Sequence, residues 1–188
     1  MSYVLGYVVA DGCVFKDKSR ENSFIFNITS KDKTHLEKIK KIFKSQHKIS
    51  IKPNGVSGFA YQFQVRNNTL CKDLEILGIL PRKTYNLQSI LTPKKYFADF
   101  VRGFFDGDGS VYIYKVNSTY QIKIELVSVS RAFVSDLNTN LCKKLNIPLK
   151  NIHENENEKK MTKYSIVFYI SDSEKFYKAD FPAMITEQ

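Results

Sequence analysis

Two hydrophobic periods alternate along the chain. Residues 23–29 place Phe24, Phe26 and Ile28 on one side and Ser23, Asn27 and Thr29 on the other, the two-residue period of a half-buried strand. The spacing then becomes helical, with Leu36, Ile39, Ile42 and Phe43 recurring between Lys31 and about Ser45, and with Ser30 placed to cap the helix. Its opposite face is mostly lysine, which reads as a solvated helix surface. A hairpin is predicted next, residues 48–52 and 59–66 around Pro53-Asn54-Gly55. In its second strand Tyr61, Phe63 and Val65 face one way, and Gln62, Gln64 and Arg66 the other. Residues 69–77 predict a short helix, ended by Gly78-Ile79-Leu80-Pro81.

The same order then repeats. Residues 120–126 alternate, with Ile122, Ile124 and Leu126 inward and Gln121, Lys123 and Glu125 outward. Ser130 is placed to cap a helix carrying Phe133, Leu137, Leu141 and Leu145. An acidic stretch, Glu154 to Glu158, reads as a turn, and residues 164–170 form a strand matching residues 61–67. The offset of 97 residues between Asp11 and Asp108 gives the period of an internal duplication. The predicted fold is α+β: two αββαββα halves, residues 1–97 and 98–188, related by a pseudo-two-fold axis. Their two antiparallel sheets form one saddle, in a single compact unit.

Each half opens on a short apolar helix ending in Asp-Gly: Val4-Leu5-Gly6-Tyr7-Val8-Val9-Ala10-Asp11-Gly12, and Val101-Arg102-Gly103-Phe104-Phe105-Asp106-Gly107-Asp108-Gly109. Small residues stand four apart in both, Gly6 with Ala10 and Gly103 with Gly107, so each helix has a smooth face that a partner backbone can approach. Packed in parallel, the helices bring Asp11 and Asp108 together. Two carboxylates there repel each other and oppose the helix macrodipoles. A divalent cation removes both penalties.

These nine-residue stretches resemble the two signature motifs of the LAGLIDADG homing endonucleases in their single-chain, two-motif form, and the flanks match over nearly the whole chain. Leu5 stands where the motif has a small residue, and Val9 replaces the first of its two acids. The final acid is present in both copies. The resemblance implies a metal site at Asp11 and Asp108, with Ala10 and Gly107 adjoining. It also implies that Lys83, on the connection between halves, reaches the active site. From the residues alone, Arg82, Lys94 and Lys95 compete with Lys83 as phosphate contacts. In the second half Lys178 is the nearest lysine on offer for the same role.

Composition narrows the partners. The chain of 188 residues is 43% hydrophobic and 26% charged, as in a soluble globular protein, and no apolar run approaches a membrane span of roughly 18 residues. No signal or transit segment is expected. Cys13, Cys71 and Cys142 are scattered, which points to a reducing intracellular compartment, a bacterial or phage-infected cytoplasm or an organelle, and to no zinc site. His35, His47 and His153 are isolated and are expected to be exposed or at strand ends, without a ligand role. The net charge of +10 points to a polyanion. Residues 1–97 carry 17 Lys+Arg against 7 Asp+Glu, and residues 98–188 carry 12 against 12, so the first half is expected to supply more of the phosphate affinity.

The outward rows are the candidate DNA contacts: Asn27, Thr29, Gln62, Gln64, Arg66, Gln121, Lys123, Glu125, Ser165 and Tyr169. Gln bonds adenine edges and Arg guanine edges in the major groove, although an ordinary wet sheet face has the same composition. The acidic stretch is expected to lie away from DNA. The chemistry that fits is metal-assisted phosphodiester hydrolysis, with Asp11, Asp108 and Lys83 as the catalytic set. Hard carboxylate ligands suit Mg2+; Mn2+ is expected to substitute, and Ca2+ to bind without supporting cleavage. The resemblance implies a monomer cutting a long double-stranded DNA site to leave short 3′ overhangs. The unequal outward rows make that site asymmetric. The alternatives are a non-cleaving DNA-binding regulator on the same fold, and a maturase that binds intron RNA. A self-splicing insert is less expected, because residue 1 is no splicing nucleophile and no C-terminal His-Asn is present.

Overall fold

A computed structural model describes residues 1–55, 58–81, 83, 87–156, 161–169, 171–172 and 175–176. The first half comprises α1 (Ser2–Asp11), β1 (Gly12–Lys16), β2 (Phe24–Ser30), α2 (Lys33–Ile42), β3 (Ile49–Asn54), β4 (Gly58–Arg66) and α3 (Asn68–Ile76). After a 3-10 turn at Lys94–Tyr96 the second half follows with α4 (Phe97–Asp108), β5 (Gly109–Val116), β6 (Thr119–Ser128), α5 (Arg131–Leu145), β7 (Ile152–Glu156) and β8 (Thr162–Tyr169). The two antiparallel sheets have the same order, β1-β2-β4-β3 and β5-β6-β8-β7. The duplication expected from the sequence is thus a duplication of topology. Arg82, the residues beside Lys83 on the connection, and Lys178 lie outside the described residues.

The motif helices pack directly on each other. A Cβ on Gly6 would sit 1.9 Å from the Phe100 carbonyl oxygen, and one on Gly103 would sit 1.8 Å from that of Tyr3. Only hydrogen at these positions allows backbone to touch backbone. Around this seam lie Val4, Val8, Phe100, Val101, Phe104 and Phe105, all nearly inaccessible to water. Each helix hands over to its sheet through glycine, and the Gly12 amide closes α1 by donating to the Val8 carbonyl.

The alternating strands bury the faces expected of them. Phe26 and Phe63 lie on neighbouring strands, with Phe43 at the end of α2 packed over both rings at 5.5 and 6.1 Å. In the second half Ile124, Leu126, Ile166 and Phe168 line the sheet beneath Phe133, Leu137 and Leu141 of α5. Ser130 caps α5, its hydroxyl accepting from the Phe133 amide at 3.2 Å while donating to the Leu87 carbonyl. That second bond ties the inter-half connection to the second half.

Three local expectations are corrected. The cap of α2 is Asp32, whose carboxylate accepts from the His35 amide at 2.9 Å. Strand β2 continues through Ser30 and keeps that residue out of the helix; its hydroxyl accepts from the Asp32 amide at 3.1 Å instead. Residues 154–156 of the acidic stretch belong to the edge strand β7 and not to a turn, with Ile152 paired to Ile166 and Glu156 to Thr162, while Asn157 and Glu158 lie outside the described residues. Exposed charge on an edge strand blunts its open hydrogen-bonding side, so acidic composition does not argue against a strand there. In the first hairpin β3 runs on through Pro53 and Asn54, and Gly55 takes a φ of +71° at the turn.

Candidate metal centre and nucleic-acid interface

Parallel packing of α1 and α4 sets their C-terminal aspartates side by side. The Asp11 Oδ2 lies 3.5 Å from the point where a Cβ on Gly107 would stand, next to the Ala10 methyl at 2.3 Å. A side chain at Gly107 would therefore push into the space between the two acids. Both aspartates are exposed at the seam, with protein packed around part of each carboxyl. Desolvation, reinforced by the negative charge of Asp11, pushes the Asp108 carboxyl up to about 6, while Lys83 and Lys163 pull it down. Asp11 is also raised by desolvation, against a hydrogen bond from Tyr7 and the charges of Lys83 and His35.

Lys83 arrives from the connection and is buried, 7% exposed. Its ammonium donates to the carbonyls of Val8 at 2.7 Å, Val9, and Ala10 at 2.8 Å at the end of α1, where the Val8 carbonyl also accepts from the Gly12 amide. Desolvation lowers its pKa to about 8, against the opposing charges of Asp108 and Asp11. The Ala10 carbonyl, expected beside the metal, is thus already accepting from Lys83 and has one lone pair left. A cavity of about 220 Å³ opens beside these groups, lined among others by Ala10, Lys83, Asp108, Ser128 and Lys163.

Among the described residues no cluster of three or more His, Cys, Asp and Glu side chains converges. An ion held here would rest on two carboxylates, backbone carbonyls and water. That all-oxygen set, with two acids repelling each other at the negative ends of two helices, fits a hard divalent cation such as Mg2+.

His35 corrects a sequence expectation. It is half-buried, its ring 4.4 Å from that of Tyr7 and 5.9 Å from that of Tyr3. Tyr3 donates to Asp106 across the seam at 2.5 Å. The equivalent triangle in the second half is apolar: Phe133 lies 5.0 Å from Phe104 and 6.5 Å from Phe100. Only an overlay of the two halves reveals this correspondence; the histidine looks isolated because its partners are some 30 residues away in sequence.

The outward rows share one face of each sheet. Gln62, Gln64 and Arg66 stand opposite Thr29, Asn27 and Ile25. They are not equally free. The Gln62 amide donates to the Asn27 Oδ1 at 2.6 Å, and Asn27 is itself buried at 7% exposure, so Asn27 orients Gln62 and is not an open reader. Arg66 is held by the buried Asp17 at 2.6 Å. The Ser19 hydroxyl and amide, then Arg66, keep that carboxyl below its usual range. Thr29 is half-buried, and Gln64 is exposed.

In the second sheet Gln121 and Glu125 are half-buried, and Lys123 bonds Glu125 at 3.0 Å with the Tyr112 ring 5.1 Å from its ammonium. Tyr169 is half exposed. Ser165, like Asn27, is removed from the surface: it is 2% exposed, flanked by Val127 and His153, and its hydroxyl has no hydrogen-bond partner. Two exposed tyrosines went unrecognised in the sequence. Tyr112 and Tyr114 pair with Lys123 and Gln121 and so lie on the same outer face, as the alternation of β5 already implied.

Comparison with known proteins agrees with this architecture. Residues 96–179 match the family described as LAGLIDADG-like domain. The homing endonuclease I-WcaI bound to its DNA recognition sequence is similar with a TM-score of 0.61 and 20% identity, over 99% of this chain and 82% of that one. The LAGLIDADG meganuclease I-AabMI bound to uncleaved DNA has a TM-score of 0.61 and 16% identity, over 94% and 81%. I-SmaMI bound to uncleaved DNA in the presence of calcium ions has a TM-score of 0.54 and 17% identity, over 95% and 84%. The second half thus matches that family, and the chain as a whole shares the fold of these two-motif structures. A probable translation initiation factor IF-2 of Methanocaldococcus jannaschii is 29% identical over 143 residues, 72% of this chain. The chain spans only 11% of that relative's length.

Proposed function

We propose that the protein is a site-specific double-stranded DNA homing endonuclease that hydrolyses phosphodiester bonds with a divalent metal, Mg2+ in the cell. One observation carries this reading: two repelling carboxylates are held together at the ends of packed motif helices, with a buried lysine beside them. The outer sheet faces, with Gln64, Arg66, Lys123 and Tyr169 among their polar groups, provide a surface for a long asymmetric duplex. The match to a short segment of a much longer translation factor is consistent with a mobile element carried inside host genes.

The residues of this chain divide the work. Asp11 and Asp108 would hold the ion, with the second lone pair of the Ala10 carbonyl and the Gly107 carbonyl adjoining. When bound, the ion supplies an activated water and neutralises charge on the phosphate. Water adds to phosphorus and the bond to O3′ breaks. One water proton ends on the 3′-oxygen and the other is released, leaving a 5′-phosphate. Lys83 fixes the end of α1, and therefore Asp11, while adding positive potential to the site. Cuts on both strands leave short 3′ overhangs.

The test is linearisation of a plasmid carrying a target selected from randomised duplexes, with Mg2+ present. Asp11→Asn and Asp108→Asn are expected to abolish cutting and to keep duplex binding. A wild-type protein that binds its selected site but cuts with none of Mg2+, Mn2+ or Ca2+ would instead be a DNA-binding regulator.

A further inference from the structure

The two ammonium groups at the cavity beside Asp108 are not equivalent. A lysine has three N–H donors, and those of Lys83 face three carbonyls, Val8, Val9 and Ala10. Lys83 is therefore committed to the end of α1, with no donor left for an incoming phosphate. Lys163, on the outer face of β8, lines the same cavity and is exposed. Its charge already acts on Asp108.

The duplication sharpens the contrast. Ser128 pairs with Tyr164 in the second sheet as Ser30 pairs with Tyr61 in the first, so Lys163 occupies the place of Ala60. Ala60 is buried at 2% exposure and brings no charge. The Asp108 side of the seam thus carries a free ammonium that the corresponding strand position of the Asp11 side lacks.

We infer that Lys163 is a catalytic residue for one DNA strand only: it contacts the scissile phosphate entering the cavity beside Asp108, while Lys83 is a positioning residue. This rests on the nuclease reading above. On that strand the Lys163 ammonium stabilises the charge that builds on the non-bridging oxygens as the bond to O3′ breaks.

Lys163→Met is expected to leave nicked circles from a supercoiled target plasmid, with the second cut slowed about a hundredfold, as for loss of one charge-stabilising donor. Lys163→Arg should restore linear product. A metal-free measurement separates this from the nuclease reading: binding to two target duplexes, each pre-nicked with a 5′-phosphate in a different strand. Lys163→Met should weaken one of them about tenfold, the size of a lost charged hydrogen bond, and spare the other. Equal weakening of both, equal slowing of both strands, or no change would overturn the assignment. Should the wild-type protein cut nothing, the nuclease reading fails while the pre-nicked duplexes still decide where Lys163 binds.

Discussion

Asp108 stands at the end of a helix, beside a second carboxylate, where its charge is least welcome. With its pKa up at about 6, above the ordinary carboxylate value, the folded state holds this proton more tightly than the unfolded chain does. The sign follows from linkage: between the unfolded value and about 6 the folded state binds more protons, so this group's contribution to stability falls as pH rises through that window. Above pH 6 the charged carboxylate costs stability. Asp108→Asn should therefore raise the melting temperature at pH 7.5, and the gain should shrink toward pH 4.5 in thermal melts. A variant that melts lower at pH 7.5 would mean that the acid is better compensated than its surroundings suggest. Asn27 allows a second test. It anchors Gln62 at 2.6 Å, so Asn27→Ala should relax base preference at one position, by about 1 kcal/mol or more, in a selection from randomised duplexes.

At the scale of elements, the pairing of α1 with α4 decides where everything else goes. Gly103→Ala forces a methyl against the Tyr3 carbonyl, at 1.8 Å in the present packing, and backbone cannot move aside without opening the seam. A loss of about 3 kcal/mol, at the upper end of ordinary overpacking, is expected in urea unfolding. Gly55→Ala is the control: nothing stands within 4 Å of its Cβ, and its positive φ alone should cost about 1 kcal/mol. Equal losses would show that the seam can relax. Element type and order were legible because burial imposes periods of two and 3.6 residues. Ends were less so. Ser30 and Asp32 are both good caps, and only the pairing of Ser30 with Tyr61 assigns one to the strand and the other to the helix.

At the scale of the whole molecule, charge and topology are distributed differently. The topology is duplicated, but the excess of basic residues belongs to the first half. Duplex affinity should fall linearly on a logarithmic plot against salt, each phosphate contact adding about −0.9 to the slope. Lys52 lies on the outer face, in register with Ala60. Lys52→Ala should flatten the slope by about one contact across all sequences, in titrations at several salt concentrations. An unchanged slope would place that edge of the sheet away from the duplex.

The sequence by itself determined the two halves, their motif helices, the meeting of Asp11 with Asp108, and most of the outer rows. All of these follow from local periodicity, from small residues four apart, and from an internal copy that can be compared with its twin. Tertiary structure alone decided which polar groups remain available. Ser165 lies on the outer face yet is covered by its neighbours, Asn27 is spent on Gln62, and Lys83 is spent on the end of α1. Lys163 shares a cavity with Asp108 from 55 residues away. Hydrogen-bond commitment and burial depend on what a side chain meets across the fold, and no spacing along the chain encodes that meeting.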